Sequence, residues 1–190
     1  PEAVLEGMVA RKLMVNAEDL RSGNISRAAV DRLENARAFF SGRGMYFRSK
    51  PRMSLDDLRS MLARVAMSGK VRGVILDYYQ LVSGRRRDQS TADNLDNVGQ
   101  TLAEAAAYYG LWILTAAQTN REGEIRGGDG LLNACDQAYL LGRHECSGHD
   151  EAWLEMRVSR YNRGAHVGTE DSPRLIVRDD IGPYFEERRE

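Results

Sequence analysis

Lysine is scarce in this 190-residue chain. Lys12, Lys50 and Lys70 are the only three, so arginine supplies nearly all of the 27 basic residues. Arginine suits phosphate recognition, although genome base composition produces the same bias. Cysteine is scarcer still: Cys135 and Cys146 are too few for a disulfide framework, which makes a reducing cytoplasmic compartment the default. No hydrophobic run approaches the roughly 20 residues of a membrane span, and no signal-peptide pattern opens the chain. There is little excess charge of either sign. A net charge of -1 neither suggests nor excludes a nucleic-acid partner. What is present is one domain's worth of ordinary apolar content, or a large part of a domain. The first residue is Pro1 rather than methionine, consistent with a piece of something longer.

Periodicity places the elements. Val4, Leu5, Met8, Val9 and Leu13 recur at helical spacing, and Arg21–Asn24 breaks that helix. Ser26 is positioned to cap a second helix with Val30, Leu33, Ala36 and Phe40 on its buried side. Met45-Tyr46-Phe47 reads as a short strand. Ser54-Leu55-Asp56-Asp57 is a capping box that opens a helix striped by Leu55, Leu58, Met61, Leu62 and Val65. Gly73–Leu81 follows as a strand, and the order strand, helix, strand predicts a parallel βαβ unit. Ser83–Thr91 is a basic loop. A helix with Leu95, Val98, Leu102, Ala105 and Tyr109 then runs to Gly110, ahead of a second apolar strand, Leu111–Ala117. Glu122–Gly130 is a charged, glycine-rich loop, and Ala138–Leu141 a third core strand. Gly142–Glu151 reads as surface loop. Alternation over Trp153–Val158 and Arg174–Arg178, then Tyr184-Phe185 after a Gly-Pro turn, predicts an antiparallel carboxyl-terminal extension.

The apolar run Gly73-Val74-Ile75-Leu76 leads straight into Asp77. Such runs read as strands buried on both faces, and the acid then stands at the carboxyl edge, where open α/β sheets bind ligands. A carboxylate there suits a hydrated Mg²⁺ beside nucleotide phosphates; it equally suits capping of the next turn. Gln118 stands at the end of the second strand. If the two strands are neighbours, acid and amide share one crevice. The amide then senses a γ-phosphate, or simply bonds to backbone.

Both following loops suit nucleic acid. The first holds Arg85, Arg86 and Arg87; the second holds Arg121, Arg126, Gly127, Gly128, Asp129 and Gly130. Arginines neutralise phosphates and glycines admit close backbone approach, whereas the absence of aromatics argues against base stacking. The alternative is a solvated basic loop. Arg157, Arg160 and Arg163 surround a strand end and its turn, fit either for reaching a neighbour's phosphates or for salt bridges in a surface hairpin. His144, Cys146 and His149 have superficial metal spacing, but a four-ligand zinc site needs distant Cys135 or His166.

These residues resemble a family. Val74–Leu81 is similar to the Walker B strand of DnaB-type replicative helicases, with its Asp-Tyr-Leu-Gln-Leu ending. Ile113–Arg121 is similar to the next motif, which ends Ser-Gln-Leu-Asn-Arg. Arg126–Asp136 resembles the DNA-loop motif, and Met45–Leu58 the strand and capped helix before Walker B. The resemblance implies an α/β fold: a RecA-like P-loop NTPase core. Its mostly parallel sheet is flanked by helices, with the antiparallel extension at the carboxyl end. It implies that residues 1–190 are a partial ATPase domain whose first strand, carrying Walker A, lies upstream. It also implies ATP and Mg²⁺ as cofactors, single-stranded DNA as partner, a homo-hexameric ring, and primase and a loader as further partners. No membrane association is implied. Asp77 would hold Mg²⁺, Gln118 would sense the γ-phosphate, and Arg126, Gly127 and Asp129 would contact DNA.

Three departures stand out. No Gly-x-x-x-x-Gly-Lys-Ser/Thr occurs in these residues, so weak or absent ATP binding is expected of them alone. Ile125-Arg126-Gly127-Gly128-Asp129 replaces the usual Leu-Arg-Glu-Ser-Gly. Arg160-Tyr161-Asn162-Arg163-Gly164 replaces Lys-x-Arg-x-Gly, so Asn162 stands at the finger position and the finger falls to Arg160 or Arg163. The expected function is part of a phage- or bacterial-type replicative helicase. The alternatives are a non-catalytic relative serving ring assembly or DNA binding, and a recombinase- or clock-like RecA ATPase, against which Asp77-Tyr78-Tyr79-Gln80-Leu81 weighs.

Overall fold

The computed structural model describes residues 2–41, 43–83, 90–120, 123–125, 129–146, 149–161, 167–168, 170–171, 174–178 and 184–187. They fall into two compact units, one of Pro1–Ser49, Tyr139–Met156 and Gly164–Glu190, the other of Lys50–Ala138 and Arg157–Arg163.

The first unit opens with four helices: α1 (Glu2–Leu13), α2 (Ala17–Ser22), α3 (Arg27–Asp31) and α4 (Leu33–Ser41). Two expectations are corrected here. Arg21–Asn24 does not follow one long helix: α1 stops at Met14, whose φ of 56° is left-handed, and Asn16 caps the separate α2 by accepting from the Glu18 N–H. Ser26 does cap a helix, accepting from the Ala29 N–H at 3.2 Å, but the helix breaks at Arg32. Its buried face is Ala29 and Ala36, while Val30 and Leu33 are exposed. Met45-Tyr46-Phe47 forms no strand.

The second unit holds the chemistry. β1 (Met53–Ser54) runs into α5 (Leu55–Met67), then β2 (Gly73–Leu76), a 3-10 turn (Tyr79–Leu81), β3 (Val82–Ser83), α6 (Thr91–Tyr109), β4 (Trp112–Thr115) and α7 (Gly130–Ala134). Ser54 and Asp57 close the capping box reciprocally at 3.1 Å each, as their spacing requires. Ser90 and Asp93 do the same for α6, a box that the loop reading over Ser83–Thr91 passed over. Gly110 ends α6 in the left-handed conformation, its N–H on the Ala106 carbonyl.

Leu58 and Leu62 of α5, Tyr79 and Val82, and Leu95, Val98 and Leu102 of α6 form one buried core. Two parallel pairs lie against it. β1 pairs with β3, and β2 with β4 in the register Gly73↔Trp112 to Leu76↔Thr115. β2, α6 and β4 are thus a parallel βαβ crossover, whereas β1 pairs with β3 rather than with β2. Burial on both faces is corrected as well. Val74, Leu76 and Ile113 pack on the core, while Ile75 (67%), Trp112 (57%) and Leu114 (59%) are exposed.

The carboxyl-terminal extension is a four-stranded sheet ordered β5 (Gln137–Cys146), β6 (His149–Ser159), β7 (Leu175–Arg178), β8 (Tyr184–Glu187). β6–β7 and β7–β8 are antiparallel, as the alternation implied. Ala138–Leu141 belongs to this sheet rather than to the parallel strands, and most of the expected loop over Gly142–Glu151 is strand.

Asp57 makes helix α5 acid-sensitive. Its hydrogen bond to Lys50, 2.7 Å away, and then its bonds with Ser54 hold the carboxyl down to about 2 from 3.8. A depressed carboxyl stabilises the fold while it is ionised, and the contribution is lost as pH falls through the folded value. The thermal midpoint of wild type should therefore exceed that of Asp57→Asn above pH 3.8, and the gap should close as pH approaches about 2. Thermal melts across that range, followed by circular dichroism, measure it.

Candidate functional site

The site grows from the β2–β4 ladder. Leu76 and Thr115 are the last paired residues, so the chain leaves both strands at one edge, Asp77 from the first and Gln118 three residues beyond the second. The Thr115 hydroxyl donates to the Leu76 carbonyl at 2.8 Å. The Tyr79 N–H donates to the Ala116 carbonyl at 3.3 Å, and Gln80 Nε2 to the Gln118 carbonyl at 3.1 Å. The Asp77–Tyr78 peptide is cis. Tyr79 is wholly buried, and burial pushes its hydroxyl above the usual tyrosine range, as does the Asp96 carboxylate.

Asp77 and Gln118 are both solvent-exposed. Among the described residues no ion pair engages the Asp77 carboxylate. An exposed, unpaired carboxylate at this edge fits a magnesium ion that keeps several of its waters. The Gln118 side-chain amide offers two donors, which fits a phosphate oxygen.

The segment after Gln118 is pinched at its base. Thr119 bridges Ile125, the Asn120 N–H donates to the Glu124 carbonyl, and the Glu124 N–H donates to Asn120 Oδ1, both at 2.8 Å. Ile125 packs on the core. Asp129 sits at the N-cap position of α7 without a side-chain capping bond. Arg85, Arg86, Arg87, Arg126, Gly127 and Arg163 lie outside the described residues. Arg160 is described: its N–H donates to the Asp136 carbonyl at 2.9 Å and its guanidinium to the Asn133 carbonyl at the end of α7. Among the described residues no cluster of histidine, cysteine and acidic side chains forms a metal site. No described helix is long and apolar enough to cross a membrane.

Sequence reasoning did not find how α7 is held against α6. A Cβ on Gly130 would lie 1.8 Å from Asp96 Oδ1 and 2.8 Å from its Cα, and one on Gly99 would meet Leu131 Cα at 3.3 Å. The two glycines let the helices approach backbone to backbone, and no local spacing rule announces such a pair.

The fold so built is that of a DnaB-like, RecA-type ATPase domain. The chain superposes with a TM-score of 0.77 on a solved DnaB-like replicative helicase whose interactions with primase were studied. The match is 16% identical and covers 97% of this chain and 47% of that one. It superposes equally, at 0.77 and 16% identity, on a second solved structure, an isolated ATPase domain, covering 96% of this chain and 69% of that one. The profile of the DnaB-like helicase C-terminal domain family matches residues 1–129, and the chain belongs to that family. Similar curated proteins include the replicative DNA helicase DnaB of Treponema pallidum, 23% identical over 148 residues, or 74% of this chain and 34% of that protein. The replicative DNA helicase DnaC of Bacillus subtilis is 24% identical over 127 residues, 66% and 28% respectively. The chain thus spans about a third of the length of the curated relatives it matches.

Gly130→Ala should destabilise the protein by about 1–3 kcal/mol, because the added methyl meets the Asp96 backbone and not just a movable side-chain end. Gly7→Ala, where nothing lies within 4 Å and the site is inside α1, should be neutral or stabilising. Urea denaturation of the two variants compares them.

Proposed function

We propose that this chain is the carboxyl-terminal part of the motor domain of a replicative DNA helicase, working in the cytoplasm as a homo-hexameric ring on single-stranded DNA. The observation that carries the reading is the shared edge of β2 and β4, which presents Asp77 and Gln118 together. ATP would bring its own Mg²⁺, whose charge offsets that of the phosphates. Asp77 would orient the hydrated ion. Gln118 would bond the γ-phosphate and lose that bond on hydrolysis. Because Gln118 leads directly into the pinched segment and so into α7, a change in its bonds is felt at Arg126, Gly127 and Asp129, the residues proposed to meet the DNA backbone. Arg85, Arg86 and Arg87 would add sequence-independent phosphate contacts.

The trans finger is assigned to the turn bearing Arg160 and Arg163. Arg160 spends its guanidinium on its own α7, which makes Arg163 the better candidate. The phosphate loop would be supplied by a segment preceding this chain, and primase and a loader are the expected partners. A non-catalytic relative is the second reading, favoured by Asn162 standing where the family's finger arginine is expected.

In the full-length gene product, Asp77→Asn should lower ATP hydrolysis by about a hundredfold or more at saturating Mg²⁺, as loss of a metal-orienting group does. Undiminished hydrolysis by Asp77→Asn would sink the motor reading, and absence of hydrolysis in the wild type would favour the non-catalytic one. Arg126→Ala should weaken single-stranded DNA binding in fluorescence anisotropy and flatten its salt dependence by about one phosphate contact, with assembly unchanged.

A further inference from the structure

Asp77 and Gln118 do not stand alone at their edge: a third side chain joins the segments that carry them. Gln80 lies in the 3-10 turn directly after Asp77 and Tyr78. Its Nε2 reaches across 38 residues of sequence to the Gln118 carbonyl at 3.1 Å. The turn that carries it is anchored, because the preceding residue, Tyr79, is fully buried and bonds the Ala116 carbonyl through its N–H. Thr115 supplies the third cross-link, to Leu76. Asp77 therefore sits between two ties, with Gln80 closing the outer end.

The other half of the same amide is unusual. Gln80 Oε1 is buried and has no hydrogen-bond partner. A buried acceptor without a partner is unfavourable, and natural structures hold few of them. An amide kept there at a cost to stability points to a role for its donor rather than to packing. With Nε2 engaged and Oε1 enclosed, neither end is free to take a phosphate.

We infer that Gln80 is a positioning residue that clasps the Gln118 peptide and couples its displacement to the Asp77 turn. The inference rests on the motor reading above. It assigns Gln80 to the step in which Gln118 responds to the γ-phosphate, not to nucleotide capture. Removal of the clasp lowers the turnover rate and leaves nucleotide affinity in place.

The test uses the full-length gene product and Gln80→Met, which keeps the side chain's length and removes the amide. The expected result is a fall of about fivefold in kcat for DNA-stimulated ATP hydrolysis, the worth of one net hydrogen bond, with KM for ATP unchanged. In a Gln118→Ala background the same change should cost nothing further, since the side chain whose response the clasp transmits is gone; a merely structural role would cost the same in both backgrounds. Gln80→Asn retains the amide one methylene short of Gln118 and should reproduce the kcat loss even if Gln80→Met folds poorly. Additive losses in the double variant, a rise in KM at constant kcat, or full activity in both variants would overturn the clasp while wild-type hydrolysis still supports the motor. A wild type that hydrolyses no ATP overturns the motor reading and the clasp with it.

Discussion

The parallel ladder between β2 and β4 is the constraint from which the rest follows. Its four paired positions bring to one edge two residues separated by about forty positions of sequence. The ladder holds its place because Val74, Leu76 and Ile113 lie on the core formed by α5 and α6. Both helices start at reciprocal capping boxes, which fix where each helix begins and so which residues reach that core. Beyond the paired residues, side chains take over from backbone: Thr115 and Gln80 extend the register past the point where the strands end. A site at such an edge inherits the rigidity of the sheet while its loops remain free to differ between relatives.

Much of this was readable in the sequence where a period or a local rule was at work. The stripe Leu95, Val98, Leu102, Ala105 lies on the buried face of α6, and Ser54 with Asp57 form the box their spacing demanded. The same rule applied to Ser90 and Asp93 reads the start of α6 directly. Where the outcome depended on distant partners, local reading failed. Met45-Tyr46-Phe47 has strand-forming side chains but pairs with nothing described, and a strand exists only as half of a pair. An apolar run such as Gly73–Leu76 identifies a strand but not how many of its faces are covered, and Ile75 is exposed. Polar residues over Gly142–Glu151 suggested a loop, although polar side chains are ordinary on strands of a sheet with one solvated face.

The candidate site divides in the same way. Asp77 and Gln118 were legible because each ends an apolar run. Gln80 was visible as part of the motif, but its reach to the Gln118 carbonyl was not, since no periodicity links residues that meet only through tertiary register. Arg160 shows the converse. Its place in the chain suggested a side chain offered outward, whereas its guanidinium closes the end of α7 within its own subunit. An arginine so engaged must give up a charge-assisted bond before it can serve a neighbour.

Gly73 and Trp112 are opposite partners at the start of the ladder, and a Cβ at Gly73 would fall 1.9 Å from the indole ring. The indole occupies the space that a side chain at position 73 would need. The two positions are therefore not free to drift separately through evolution. A larger residue at 73 becomes tolerable after Trp112 has shrunk, and a tryptophan at 112 can be regained while 73 is still glycine. The order of substitutions along any lineage is written into this contact.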